Sequence, residues 1–192
     1  VPGLANKTCA KDAATVCLSF PGAQEAFAGR IGRDTSLVLT GNPVRRSVIA
    51  SSRETGRDAF GLVEDETALL VFGGSLGARH LNEAISRMKD ELLSRPRLRV
   101  IHSTGKDLYD EVTQSLTLTE EQRKRWQVLP YIENMGEALA ACDVVLSRAG
   151  ASSIAEIAAL AVPAILVPYP LATADHQTTN ARYLVDAGAA RL

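Results

Sequence analysis

With 192 residues, 46% of them apolar, the chain can bury at least one core, which excludes intrinsic disorder. Its 21 Lys and Arg against 22 Asp and Glu leave a formal charge of −1, so no global basic field exists to grip nucleic acid or an anionic bilayer, and any anion must be held locally. No apolar run approaches the roughly 20 residues that span a bilayer, and residues 1–10 lack a signal-peptide pattern, so the chain reads as soluble. Cys9, Cys17 and Cys142 form no CxxC pair and have no histidines at metal spacing, which suits reduced, cytoplasmic thiols.

The first 66 residues predict a helix near Ala5–Ala14, a strand at Thr15–Phe20, a Pro21-Gly22 break and a strand at Ser36–Leu39, and look like the tail of something larger. Polar, weakly periodic sequence from Ser51 to Asp65 reads as a linker. From Thr67 onward, short β-type apolar runs alternate with helical ones. Strands are expected at Ala68–Phe72, Leu98–His102, Trp126–Leu129, Val144–Ser147 and Ala164–Val167. Helices are expected at Ala78–Leu93, Leu108–Leu116, Met135–Cys142, Ser153–Leu160 and His176–Ala187. That alternation is the mark of an α/β fold, a parallel sheet with helices on both faces. The chain stops just where another strand should follow the Gly188 turn, so both ends look cut.

In such a sheet, ligands bind outside the carboxyl ends of the strands, where loops and helix N-termini point. After Phe72, Gly73-Gly74-Ser75-Leu76-Gly77 fits neither the Walker pattern nor GxGxxG, and reads either as a tight strand-to-helix turn or as a phosphate cradle. Pro130-Tyr131-Ile132-Glu133 follows another strand, and Ser147-Arg148-Ala149-Gly150-Ala151-Ser152-Ser153 a third. Glu156 beyond it either answers the helix dipole or accepts hydrogen bonds from a ribose diol. After Val167, Asp175 reads as an N-cap, with His176 and Asn180 on one helix face beside Gln177, a polar group that suits sugar hydroxyls or simply a solvated first turn. Arg45, in Gly41-Asn42-Pro43-Val44-Arg45, carries a guanidinium able to hold a phosphate through two parallel bonds. His80 and His102 read as surface or structural histidines.

Together, Gly41–Arg45, Gly73–Ala78 with Leu81-Asn82, Ser147–Ala151 through Glu156, and His176-Gln177 with Asn180-Ala181 resemble the MurG family, bacterial glycosyltransferases of family 28. The resemblance runs through essentially the whole chain. It implies the C-terminal half of a GT-B enzyme, a Rossmann-like donor domain at 46–192 preceded by the tail of an N-terminal acceptor domain and linker at 1–45. It further implies UDP-N-acetylglucosamine as donor and lipid I, the lipid-linked muramyl-pentapeptide, as acceptor.

Carried over by residue, Arg45, Ser75 and the amides of Leu76 and Gly77 would hold the diphosphate. Ile132 backbone would read uracil, Ala151 and Ser153 would line the nucleotide site, and Glu156 would take the ribose. His176, Gln177 and Asn180 would contact the sugar, although some members carry two glutamines where this chain has His176-Gln177. No metal or cofactor is implied. Acceptor site, general base and membrane contact at the cytoplasmic face of the plasma membrane would belong to the missing N-terminal domain, leaving the isolated chain inactive. Two other readings compete. A UDP-sugar-binding subunit of a split transferase would have no reason to keep residues 1–45, and a UDP-sugar epimerase would need catalytic carboxylates and a histidine that the chain does not offer.

Overall fold

A computed structural model describes residues 2–74 and 77–192, and the chain divides after Pro43 into two compact units. The first unit holds helix α1 (Leu4–Cys9) and two parallel strands, β1 (Thr15–Leu18) and β2 (Ser36–Leu39), joined through 3-10 turns at Pro21–Ala23 and Glu25–Phe27. Its small core is Ala10, Leu18 and Phe27, flanked by Val16, Ala23, Ile31 and Leu37. Thr35 Oγ1 donates to the Ala13 carbonyl at 2.7 Å and ties the two strand entries together.

The second unit begins with two short helices, α2 (Arg46–Ile49) and α3 (Arg53–Ala59). They lead into β3 (Thr67–Phe72), α4 (Arg79–Arg87), α5 (Lys89–Leu93), β4 (Leu98–Ser103), α6 (Tyr109–Leu116), α7 (Glu120–Arg125) and β5 (Trp126–Leu129). Then come α8 (Met135–Ala141), β6 (Val144–Ser147), α9 (Ala151–Ala159), β7 (Ala164–Leu166), α10 (His176–Asp186) and β8 (Ala190–Arg191). The strands form one parallel six-stranded sheet in the order β5-β4-β3-β6-β7-β8, and the strand expected after Gly188 is β8 on its edge. Counted from β3 as the first, that is 3-2-1-4-5-6, the Rossmann order.

Successive side chains of a strand point to opposite faces, so burial of Leu70, Val71 and Phe72 in a row requires cover on both sides of β3. On one side Val71 and Val100 pack with Leu81, Ile85, Leu116 and Trp126. The expected helix Ala78–Leu93 is two, broken at Met88, which sits at φ −85°, ψ 6°. Helix α7 was not expected, although Thr119 and Gln122 form a reciprocal capping box that its sequence spells out.

The linker reading of Ser51–Asp65 is overturned. Ser52 and Thr55 cap α3 reciprocally, and Gly56 lies so close to α8 that a side chain there would run into the backbone of Glu137 and Ala141. Arg57, only 8% exposed, donates to the carbonyls of Val63, Glu66 and Ala141. Asp143 accepts from Arg53 Nη2 at 2.6 Å and from the Ala68 amide at 2.8 Å, fastening this segment to the start of β3. Such polar anchors leave no apolar period, which is why the sequence looked unstructured there.

Candidate functional site

Because β3 lies between β4 and β6, the chain leaves its C-terminal end in one direction and returns to the other side, and the loops after β3 and β6 open at that switch. The loop after β3 is shaped by Gly74 at φ +91° and Gly77 at φ +76°. Gly77 also abuts the Thr104 carbonyl, where a side chain would collide with backbone, and its N–H donates to Gly74 O at 3.0 Å, so this amide closes the turn. Ser75 and Leu76 lie outside the described residues.

Behind this loop the side chains of Asn82 and His102 are buried. His102 Nε2 meets Asn82 Oδ1 at 3.0 Å, and Asn82 Nδ2 donates to Thr104 O at 2.9 Å, so α4 is pinned to the end of β4 just where Gly77 touches it. Burial lowers the His102 imidazole to about 4, keeping it neutral. His80, by contrast, is exposed near Glu83. Neither the Asn82 clamp nor its consequence for the loop is legible in sequence, where Asn82 is one of several polar residues on an amphipathic helix.

After β6, the guanidinium of Arg148 donates to the carbonyls of Val167 at 3.1 Å and Pro168 at 2.9 Å and lies over the Tyr169 ring, joining this loop to the one after β7. Partial burial lowers the Arg148 pKa from its ordinary value. Gln177 Oε1 accepts from the amides of Ala149 at 3.2 Å and Tyr169 at 2.9 Å, so its remaining NH2 can only donate. Asn180, 6% exposed, donates through Nδ2 to Ala149 O at 3.1 Å. This bracing by Arg148 is not legible in the sequence, because a lone Arg in a loop gives no sign of which carbonyls it will meet.

Helix α9 starts at Gly150 without a side-chain cap, and its first helical bond is Ile154 N–H to Gly150 O. Among the described residues the amides of Ala151, Ser152 and Ser153 have no partner, and no acidic side chain sits in this first turn, leaving the positive end of the helix open. One turn on, Glu156 Oε1 accepts from Arg45 Nε at 3.2 Å and Nη2 at 3.0 Å. These residues stand 111 positions apart in sequence.

Ile132 is buried after β5, and among the described residues neither its N–H nor its carbonyl is bonded. His176 Nδ1 donates to Thr173 O at 2.9 Å, which leaves Nε2 as the ring nitrogen not engaged by that bond. Asp175 is the N-cap residue of α10, as expected, but its side chain makes no capping bond to the backbone. It sits at φ +48°, and its carboxylate accepts from the Thr178 hydroxyl at 2.6 Å. Thus Arg45 meets Glu156, Gln177 and Asn180 meet the loop that leads to Ala151 and Ser153, and Ile132 and His176 stand at the same carboxyl end on other loops. A cleft of about 360 Å³, lined by Ser51, Arg53, Cys142, Asp143 and Pro163, opens instead at the amino ends of the strands. Burial there pushes the Cys142 thiol up to about 12, an inert state. Among the described residues no group of three or more His, Cys, Asp or Glu could hold a metal, and no helix is long and apolar enough to cross a membrane.

Comparison with known proteins agrees with this architecture. Residues 68–192 match the model of the glycosyltransferase family 28 C-terminal domain. The chain is 41% identical over 192 residues to the UDP-N-acetylglucosamine--N-acetylmuramyl-(pentapeptide) pyrophosphoryl-undecaprenol N-acetylglucosamine transferase of Halothermothrix orenii, covering 98% of this chain and 51% of that protein. It is 43% identical to the protein of the same name from Desulfitobacterium hafniense strain Y51, covering 99% and 51%. The crystal structure of Acinetobacter baumannii MurG superposes with a TM-score of 0.64 at 28% identity, over 92% of this chain and 52% of that one. The chain therefore spans about half the length of the curated relatives it matches. With its matched stretch covering the sheet and every loop at its carboxyl end, the chain belongs to glycosyltransferase family 28.

Proposed function

We propose that this chain is the donor-binding part of an inverting glycosyltransferase that moves N-acetylglucosamine from UDP-N-acetylglucosamine to the muramyl 4-hydroxyl of lipid I, as the names of its relatives suggest. In this reading the unit ending at Pro43 is the tail of an acceptor domain, and residues from Val44 onward form the donor domain. The observation that carries it is the convergence at one sheet end of the Arg45–Glu156 pair, the open amides of Ala151 and Ser153, and the half-committed amide of Gln177.

Uracil is read by the free backbone of Ile132, the ribose by Glu156, and the diphosphate by Arg45, Ser75 and the loop that Gly77 closes. His176 through Nε2, Gln177 as donor and Asn180 through the amide oxygen left over from its bond to Ala149 take the hexose. The acceptor oxygen bonds to the anomeric carbon as the bond to the β-phosphate oxygen breaks with inversion, and the hydroxyl proton passes to a base on the acceptor domain. Charge arriving on UDP is met by Arg45 and the α9 N-terminus, dipoles and charge already in place. Lipid I and the cytoplasmic face of the membrane are met through that acceptor domain.

Calorimetry with UDP-N-acetylglucosamine, UDP and ADP tests the reading: the uridine nucleotides bind and ADP binds more weakly, and Glu156→Ala weakens UDP without unfolding the chain. Equal affinity for all three nucleotides would overturn it.

A further inference from the structure

We propose that Arg45 is a positioning residue for Glu156, so that the ribose and diphosphate subsites of the proposed donor site share one guanidinium and are energetically coupled. This rests on the reading of Glu156 as the ribose acceptor given above. The two donors, Nε and Nη2, both point at one oxygen, Oε1, at 3.2 and 3.0 Å. A carboxylate oxygen offers about two lone-pair sites, so Oε1 is filled. Oε2 has no partner among the described residues and is the oxygen left to accept a hydroxyl. Nη1 of Arg45 likewise has none and still carries N–H groups for an anion.

The backbone of Arg45 is held, because its carbonyl accepts from the amides of Val48 and Ile49 at the start of α2, and Val48 is 1% exposed. The Arg45 side chain therefore reaches Glu156 from a fixed point. It is 57% exposed, whereas the Glu156 side chain is 13% exposed. A carboxylate so far out of water is held in one orientation by the guanidinium, whose two donors lock it from one side while leaving the other oxygen free. Lysine supplies the charge without the fork.

The discriminating probe is uridine, which has a ribose and no phosphate. Affinities of the chain for uridine, UDP and 2′-deoxyUDP are measured for the wild type, Arg45→Ala, Arg45→Lys, Glu156→Ala and the Arg45→Ala/Glu156→Ala pair, with thermal melts to check folding. Arg45→Ala is expected to weaken uridine about two- to fivefold and to shrink the preference for UDP over 2′-deoxyUDP. Arg45→Lys should not restore either, and Arg45→Ala should add nothing for uridine once Glu156 is gone. Arg45→Ala that weakens UDP while leaving uridine and the 2′-deoxy ratio unchanged overturns the proposal and reduces Arg45 to a phosphate ligand. If that variant melts early, the same comparison is read from Arg45→Lys, and an unchanged 2′-deoxy ratio there has the same force. A wild type without preference for UDP over ADP sinks the donor reading itself, and this inference with it.

Discussion

His102 shows how one side chain can set a pH limit on the fold. In the unfolded chain an imidazole titrates near 6.5, but burial lowers that of folded His102 to about 4. Between those values the unfolded state binds more protons, so stability falls as pH drops through that window and is unaffected above it. The full loss is about 3 kcal/mol. Urea titrations from pH 7 to pH 4 should show this decline, and His102→Gln, which can still donate to Asn82 Oδ1, should flatten it. Equal slopes in the two proteins would show that His102 is not the titrating group. Only the residue type and its strand were readable beforehand, since the neutral state follows from enclosure beside Trp126 and α4.

At the scale of elements, α3 against α8 is the contact that the sequence concealed. In an exposed helix Gly→Ala stabilises by about 1 kcal/mol. At Gly56 the added methyl would meet the backbone of Glu137 and Ala141, so Gly56→Ala is expected to destabilise by about 1–3 kcal/mol in urea denaturation. A stabilised variant would mean that α3 does not seat on α8. Periodicity located the strands because a buried parallel strand is apolar at consecutive positions, as in Ala68–Phe72. The same signal fails for α3, whose seat is made by a glycine, a buried arginine and a carboxylate at the start of a distant strand.

Across the whole molecule, the two units differ sharply in what they bury. The first has two paired strands over three fully buried apolar residues, whereas the second has six strands covered by helices. Small cores leave less free energy to protect their hydrogen bonds. Amides of β1 and β2 should therefore exchange with deuterium faster than those of β3 and β4, measured residue by residue in native buffer. Equal protection would show that the first unit draws stability from beyond its own core.

The amino-acid sequence by itself determined the wound parallel sheet, the positions of most strands and helices, and which loops lie at the carboxyl ends of its strands. Those follow from period, glycine placement and the rule that loops at the carboxyl ends of parallel strands share one rim. Only the tertiary structure decided that Arg45 grips Glu156, that Asn82 and His102 brace the glycine-rich turn, and that Gln177 and Asn180 hold Ala149. These bonds join residues far apart along the chain, and their partners are fixed by strand order and helix seating, which no local pattern encodes.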